Sequence, residues 1–239
     1  MEDHGSKDMI PTFNELAEKA KTPEFQNIGI TEVTAVSQSL MFLFAGFDTL
    51  ATTMTMLCYY LAKYPDKQVK LLEEVDHFLA QHEGDIDHDT QKELPYLSAC
   101  ISETLRLRPP TVRAERICVK DWKDEETGLV IKKGTVVQFP MWAIHRDEKY
   151  WSEPEEFKPE RFLAENKDKI NQYAYLPFGH GPRNCIGMRF AKEEMNMVMV
   201  KILKEFRFEA LPETKVVYKP GRQFLTQYEP IKMRFCRRR

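Results

Sequence analysis

Residues 178–187 read Phe178-Gly179-His180-Gly181-Pro182-Arg183-Asn184-Cys185-Ile186-Gly187, and this stretch decides the fold. Three glycines and a proline among ten residues forbid a regular helix or strand and favour a tight turn rich in accessible backbone. From Met188 to Phe206 the pattern turns strongly helical. Cys185 therefore lies close to a helix N-terminus, where unpaired N–H groups and the positive end of the dipole favour a thiolate over a thiol. Arg183, two residues earlier, supplies a guanidinium suited to bidentate carboxylate binding. A lone cysteine can also be a small buried hydrophobe, but a core filler does not require a glycine loop around it.

Outward from the loop the chain is mostly helical. After it, Ala191, Met195, Val198, Met199, Ile202, Leu203 and Phe206 form one apolar helix face, and the strands 206–210, 216–218 and 231–235 follow, with a turn at 221–225. Before it, Leu94 to Leu107 reads as a helix with Leu97, Ile101 and Leu105 on one side, stopped by Pro109-Pro110. On that helix Glu103 and Arg106 are three apart and so share a surface. Strand patterns occupy 111–119, 129–131 and 135–139, with a turn at 123–128. A short helix at 142–146 and an aromatic, proline-punctuated loop at 149–159 come next. Upstream, Pro65 to Ala80 carries an apolar stripe of Val69, Leu72, Val75 and Leu79, ending near Gly84 as a C-cap region. The longest helical pattern runs from Thr31, a plausible N-cap, to Lys63. Its centre, 40–47, is apolar all round, which predicts burial in a large core. Ser37, Gln38, Ser39, Asp48 and several threonines interrupt it, which argues against a membrane span. Residues 1–30 read as a polar lead-in with a short helix at 13–21.

Two residues of the long helix resist a simple packing account. Gly46 costs about 1 kcal/mol relative to alanine in a helix interior, and Asp48 stands among apolar neighbours. Close helix contact for the glycine and a solvated edge for the acid are the plain alternatives.

Composition bounds the rest. Hydrophobic residues make up 42% and charged residues 30% of 239 positions, with net charge −2. That describes a globular protein without a nucleic-acid footprint. The terminal Arg237-Arg238-Arg239 reads as a solvated tail. The five cysteines (Cys58, Cys100, Cys118, Cys185, Cys236) show no C-x-x-C spacing, which argues against zinc ribbons and disulfide frameworks. Residues 1–21 lack the apolar core of a signal peptide.

The order Phe-Gly-x-Gly-x-Arg-x-Cys-x-Gly resembles the haem-binding loop of the cytochrome P-450 family, with every fixed position matched. Three further motifs follow in the family's order. Ala45-Gly46-Phe47-Asp48-Thr49 resembles its distal-helix motif, and Glu103-Thr104-Leu105-Arg106 its Glu-x-x-Arg pair. Pro159-Glu160-Arg161-Phe162 matches the segment that supplies a third partner to that pair. The runs 181–191 and Ala143-Ile144-His145-Arg146-Asp147 look most like the microsomal animal branch that handles drugs and other lipophilic compounds.

The resemblance implies a mainly α fold with small β-sheets. It makes residues 31–239 the haem-binding carboxy-terminal portion of the family domain, the amino-terminal half and its membrane anchor being absent. It implies heme b as cofactor, with Cys185 as axial ligand of the iron, Arg183 and Arg113 on the propionates, and Phe178 beside the sulfur. Gly179 and Gly187 of the loop join them as cofactor-binding residues. Arg113 can equally be an ordinary strand arginine. Ala45 and Gly46 would let the distal helix pass close over the haem, while Asp48 and Thr49 manage the protons that O–O cleavage needs. Glu103, Arg106 and Arg161 would form a buried network that fixes the loop geometrically.

The implied activity is a monooxygenase that uses O2 and a lipophilic small molecule. Electrons would come from an NADPH-dependent cytochrome P-450 reductase, with cytochrome b5 as a further partner, at the cytosolic face of the endoplasmic reticulum membrane. Isomerase or synthase chemistry on the same haem is an alternative within the family. A truncated, non-catalytic fragment of such an enzyme, acting at most through protein association, is another, and outside the family stands a cysteine hydrolase pairing Cys185 with His180.

Overall fold

The computed structural model describes residues 9–82, 86–87, 90–219 and 225–238. The expected C-cap at Gly84 and most of the turn at 221–225 lie outside them. The described chain is mainly helical. Helices α1 (Met9–Lys19), α2 (Pro23–Asn27), α3 (Glu32–Lys63), α4 (Pro65–Gln81) and α5 (Pro95–Leu107) come first. Strands β1 (Ala114–Ile117), β2 (Trp122–Lys123), β3 (Val130–Ile131) and β4 (Val136–Phe139) follow, then α6 (Met141–Ile144), α7 (Met188–Glu205), β5 (Phe206–Ala210) and β6 (Met233–Arg237). The strands form three antiparallel two-stranded sheets, β1 with β4, β2 with β3 and β5 with β6.

Sequence explains most helix limits. Pro65 and Pro95 open α4 and α5 at positions where a missing N–H costs nothing. At the start of α3 the Thr34 N–H donates to Thr31 Oγ1 at 3.4 Å and the Thr31 N–H donates to Thr34 Oγ1 at 3.2 Å, a reciprocal cap. The α5 N-terminus is capped from outside: Glu74 on α4 accepts from the N–H groups of Tyr96 and Leu97 at 2.7 and 2.8 Å. The pattern at 216–218 yields only an isolated bridge, Tyr218 to Tyr228, and the last strand starts two residues later than its apolar pattern.

The chain divides into two compact units, Met1–Asp48 and Thr49–Arg239, and the boundary falls inside α3. In the second unit the end of α3, with Met56, Leu57 and Leu61, packs into one core with α4, α5, α7, Phe157 and Phe208. In the first unit the expectation of a buried centre for α3 fails. Met41, Leu43, Phe44 and Phe47 are exposed, and the buried residues described there are the small Ala20 and Ala35. Two short helices offer too little surface to cover a helix that is apolar on every side. By length and composition alone α3 could cross a membrane, yet its last two turns are core.

The face of α4 also differs from the expected stripe. Val69 is exposed, and Gln68, Leu71, Val75 and Phe78 are buried. Gln68 explains the rotation. Its amide donates to the carbonyls of Leu61 and Phe208 at 3.1 and 2.8 Å and accepts from the Phe208 N–H at 2.6 Å. A side chain that satisfies three buried backbone groups belongs inside.

Phe157 ties the irregular segment before α7 to this core. Its ring stacks on Tyr60 of α3, with centroids 4.7 Å apart and planes at 1°. Truncation to alanine removes a ring that is 1% exposed. Phe157→Ala should cost about 3–5 kcal/mol, read as a lower urea midpoint at unchanged m-value.

Candidate functional site

Glycine conformation builds the loop before α7. Gly179 and Gly181 have φ of 72° and 80°, values that favour glycine. The Gly179 N–H donates to Leu176 O at 3.0 Å, the Asn184 N–H to Gly181 O at 3.1 Å, and the Cys185 N–H to Phe178 O at 2.8 Å. The last bond closes the loop and fixes the backbone that carries the thiol. Gly187 then precedes the first turn of α7, where its carbonyl accepts from Ala191.

Cys185 is exposed, and so are Arg183, Ile186 and Phe190. Phe178 is half-buried against the core, with the Lys192 ammonium 5.6 Å from its ring centroid. An accessible thiol, exposed apolar side chains and guanidinium groups form a donor set that suits a flat, apolar ligand bearing carboxylates. Among the described residues no group of three or more His, Cys, Asp or Glu side chains could hold a bare metal ion.

Beside Arg183 and Arg113, the structure brings a further arginine, Arg116, to the loop. Arg113 pairs with Glu115 at 2.8 Å. Arg116 on β1 donates from Nη2 to the carbonyl of Arg183 at 3.2 Å. Strand alternation is the signal that separates them. Residues 113 and 115 share one face and 116 takes the other, so the nearby glutamate claims Arg113.

Glu103, Arg106 and Arg161 do come together. Arg106 binds Glu103 bidentately, Nε to Oε2 at 2.7 Å and Nη2 to Oε1 at 2.9 Å, and both side chains are fully buried. Its remaining N–H groups donate to the carbonyls of His145 and Pro154 at 2.7 Å each and of Glu156 at 3.2 Å. All five guanidinium donors are thereby used. Glu103 Oε1 also accepts from Lys158 N at 2.9 Å and Arg161 Nε at 3.3 Å. One arginine thus gathers three carbonyls from two separate stretches of chain around α5.

His145, a residue the sequence reading did not select as a site residue, completes this brace. Its side chain is fully buried. Nδ1 lies 3.1 Å from Arg106 O, and Nε2 lies 2.8 Å from the Leu176 N–H. A carbonyl can only accept and an amide can only donate, so Nδ1 carries the proton and Nε2 is bare. Burial, joined by the positive charges of Arg106 and Arg146, pushes its pKa down to about 4 from 6.5. Between those two values the unfolded chain binds the proton and the folded one does not. The stability contributed is complete above pH 6.5 and is lost as pH falls toward 4. It amounts to about 3 kcal/mol. Urea midpoints across that window should show this slope in the wild type and not in His145→Gln.

On α3, Asp48 is exposed and Thr49 half-buried, and the Thr53 hydroxyl donates to Thr49 O at 2.8 Å. Ala45 is exposed. A side chain at Gly46 would meet nothing within 4 Å.

The family model described as Cytochrome P450 matches residues 4–235. The chain is 46% identical over 200 residues to Cytochrome P450 3A13 of Mus musculus, covering 84% of this chain and 39% of that protein. It is 44% identical over 210 residues to Cytochrome P450 3A6 of Oryctolagus cuniculus, covering 87% and 41%. Against Cytochrome P450 3A1 of Rattus norvegicus it is 45% identical over 219 residues, covering 92% and 42%. The chain therefore spans less than half the length of the curated relatives it matches.

Proposed function

The chain belongs to the cytochrome P450 family, and from that premise we propose that it carries the haem-thiolate centre of a monooxygenase acting on lipophilic small molecules. The observation that carries this reading is the exposed Cys185 thiol on a glycine-shaped loop at the start of α7. Bound there, heme b would supply the activation of O2 needed to insert one oxygen atom into the substrate. Cys185, as thiolate, would hold the iron and push electron density toward it. Arg183 and Arg113 would pair with the propionates, the exposed Arg113–Glu115 pair being weak enough to open, and Arg116 at the loop would add a further cation beside them. Phe178 would shield the sulfur. Ala45 and Gly46 would leave room beside the ligand, and Asp48 and Thr49 would hold and pass protons through carboxylate and hydroxyl. Glu103, Arg106 and Arg161 would keep the loop in place. An NADPH-dependent reductase, with cytochrome b5 beside it, would supply electrons at the cytosolic face of the endoplasmic reticulum.

The test is haem titration of the chain followed by reduction under carbon monoxide. One haem per chain with the red-shifted Soret band of thiolate ligation is the expected result; haem uptake without that band would refute it. In the same titration Arg116→Ala should weaken haem binding about tenfold or more, the scale of one lost charge-assisted contact. Arg113→Ala should weaken it to a similar extent.

A second reading, association without catalysis, is favoured by the exposed apolar row Met41, Leu43, Phe44 and Phe47 on α3. Failure to take up haem, together with self-association in sedimentation, would favour it.

A further inference from the structure

One hydrogen bond joins the residues just ahead of the Cys185 loop to α5 directly, and a second joins them to His145, which is itself bonded to α5. The Tyr175 hydroxyl donates to Ser102 O at 3.0 Å, and one residue on, the Leu176 N–H donates to His145 Nε2 at 2.8 Å. The Tyr175 ring lies over the imidazole, with centroids 5.8 Å apart. On its other side the imidazole donates from Nδ1 to Arg106 O at 3.1 Å, and the His145 carbonyl accepts from the Arg106 guanidinium at 2.7 Å. Leu176 O in turn accepts the Gly179 N–H, and Phe178 O accepts the Cys185 N–H.

We propose that His145 is a positioning residue for the Cys185 thiol: a neutral imidazole of fixed tautomer that carries the geometry of the Glu103–Arg106 brace across to the stem of the loop. The inference rests on the haem-thiolate reading for its consequence and on the hydrogen bonds alone for its geometry. Three features support a positioning role over simple core packing. The ring is bonded at both nitrogens, so it cannot rotate without breaking a contact to buried backbone. Its partner Leu176 lies outside any helix or strand, so its N–H has no ladder to fall back on. From the imidazole, the Leu176–Gly179 and Phe178–Cys185 bonds continue the linkage to the backbone of the ligand cysteine. The protonated ring could not accept from Leu176, and the link would open.

Two variants separate the possibilities. His145→Phe keeps a ring for Tyr175 to stack on and removes both side-chain hydrogen bonds. His145→Gln loses the ring and keeps an acceptor within reach of Leu176. Amide hydrogen exchange is measured at pH 7 on the full chain without haem. In His145→Phe, exchange at Leu176, Gly179 and Cys185 should rise about tenfold or more while α4 amides stay protected. In His145→Gln, Leu176 should remain protected. Unchanged exchange at those three amides in His145→Phe overturns the proposal, as does a uniform rise over all helices. Where His145→Phe does not fold, His145→Gln decides alone: retained protection at Leu176 supports the proposal and its loss refutes it.

With haem bound, His145→Phe should move part of the ferrous carbonyl band away from the thiolate position, and His145→Gln should restore it. Retention of the full thiolate band in a folded His145→Phe overturns the consequence for the thiol. A wild-type chain that takes up no haem refutes the haem-thiolate reading and leaves the exchange result to judge His145.

Discussion

Cys185→Ser is expected to abolish the thiolate-type carbonyl band of the haem-loaded chain while leaving its haem-free stability within about 0.5 kcal/mol of wild type. The two halves of that expectation have separate causes. The thiol is exposed, so one heavy atom is exchanged for another where little packing is at stake. The backbone contact that closes the loop, Cys185 N–H to Phe178 O, is independent of the side chain. A hydroxyl is a far weaker donor of electron density to iron than a thiolate, so ligation changes even if haem is still taken up. Absorbance of the reduced carbonyl complex and urea denaturation of the haem-free chain measure the two quantities. A red-shifted band that survives in Cys185→Ser would remove Cys185 from its assigned role.

Arg106→Leu is expected to cost about 3–5 kcal/mol, since removing one member of a buried ion pair strands the other. Glu103 would keep Lys158 N–H and Arg161 Nε as partners, which sets the loss toward the lower end of that range. The carbonyls of His145, Pro154 and Glu156 would each lose a charged donor. Arg106→Lys is the sharper variant. It keeps the charge and cannot supply five donors in a planar fork, so it should recover only a part of the loss. A urea midpoint unchanged in Arg106→Leu would refute the account, and full recovery in Arg106→Lys would show that charge alone matters. Phe157 and Arg106 anchor the same stretch of chain, so the double variant should fall short of the sum of the two singles.

Local chemistry was readable wherever a residue's role follows from its own neighbours in sequence. The glycines at 179 and 181 announce a loop because of the conformation they allow, and both have positive φ. Pro65 and Pro95 mark helix starts because of the N–H they lack. The spacing of Glu103 and Arg106 puts them on one surface, but spacing does not say whether that surface is wet or dry. Periodicity misjudged two faces for the same reason. On α4 it assigned Val69 inward by hydrophobicity, and the buried position went to Gln68, whose backbone partners come from Leu61 and Phe208. On α3 an all-apolar stretch was assigned a core that the first unit does not provide.

By itself, the sequence determined the loop, its cysteine, the helices beside it and the family, because each of these rests on residues close together in the chain. Only the tertiary structure decided which backbone carbonyls Arg106 gathers, that Arg116 meets the loop, and that His145 spans from α5 to Leu176. Burial and long-range hydrogen bonds depend on what packs opposite a residue. For His145 the partners stand 39 and 31 positions away, a distance at which no local pattern carries information.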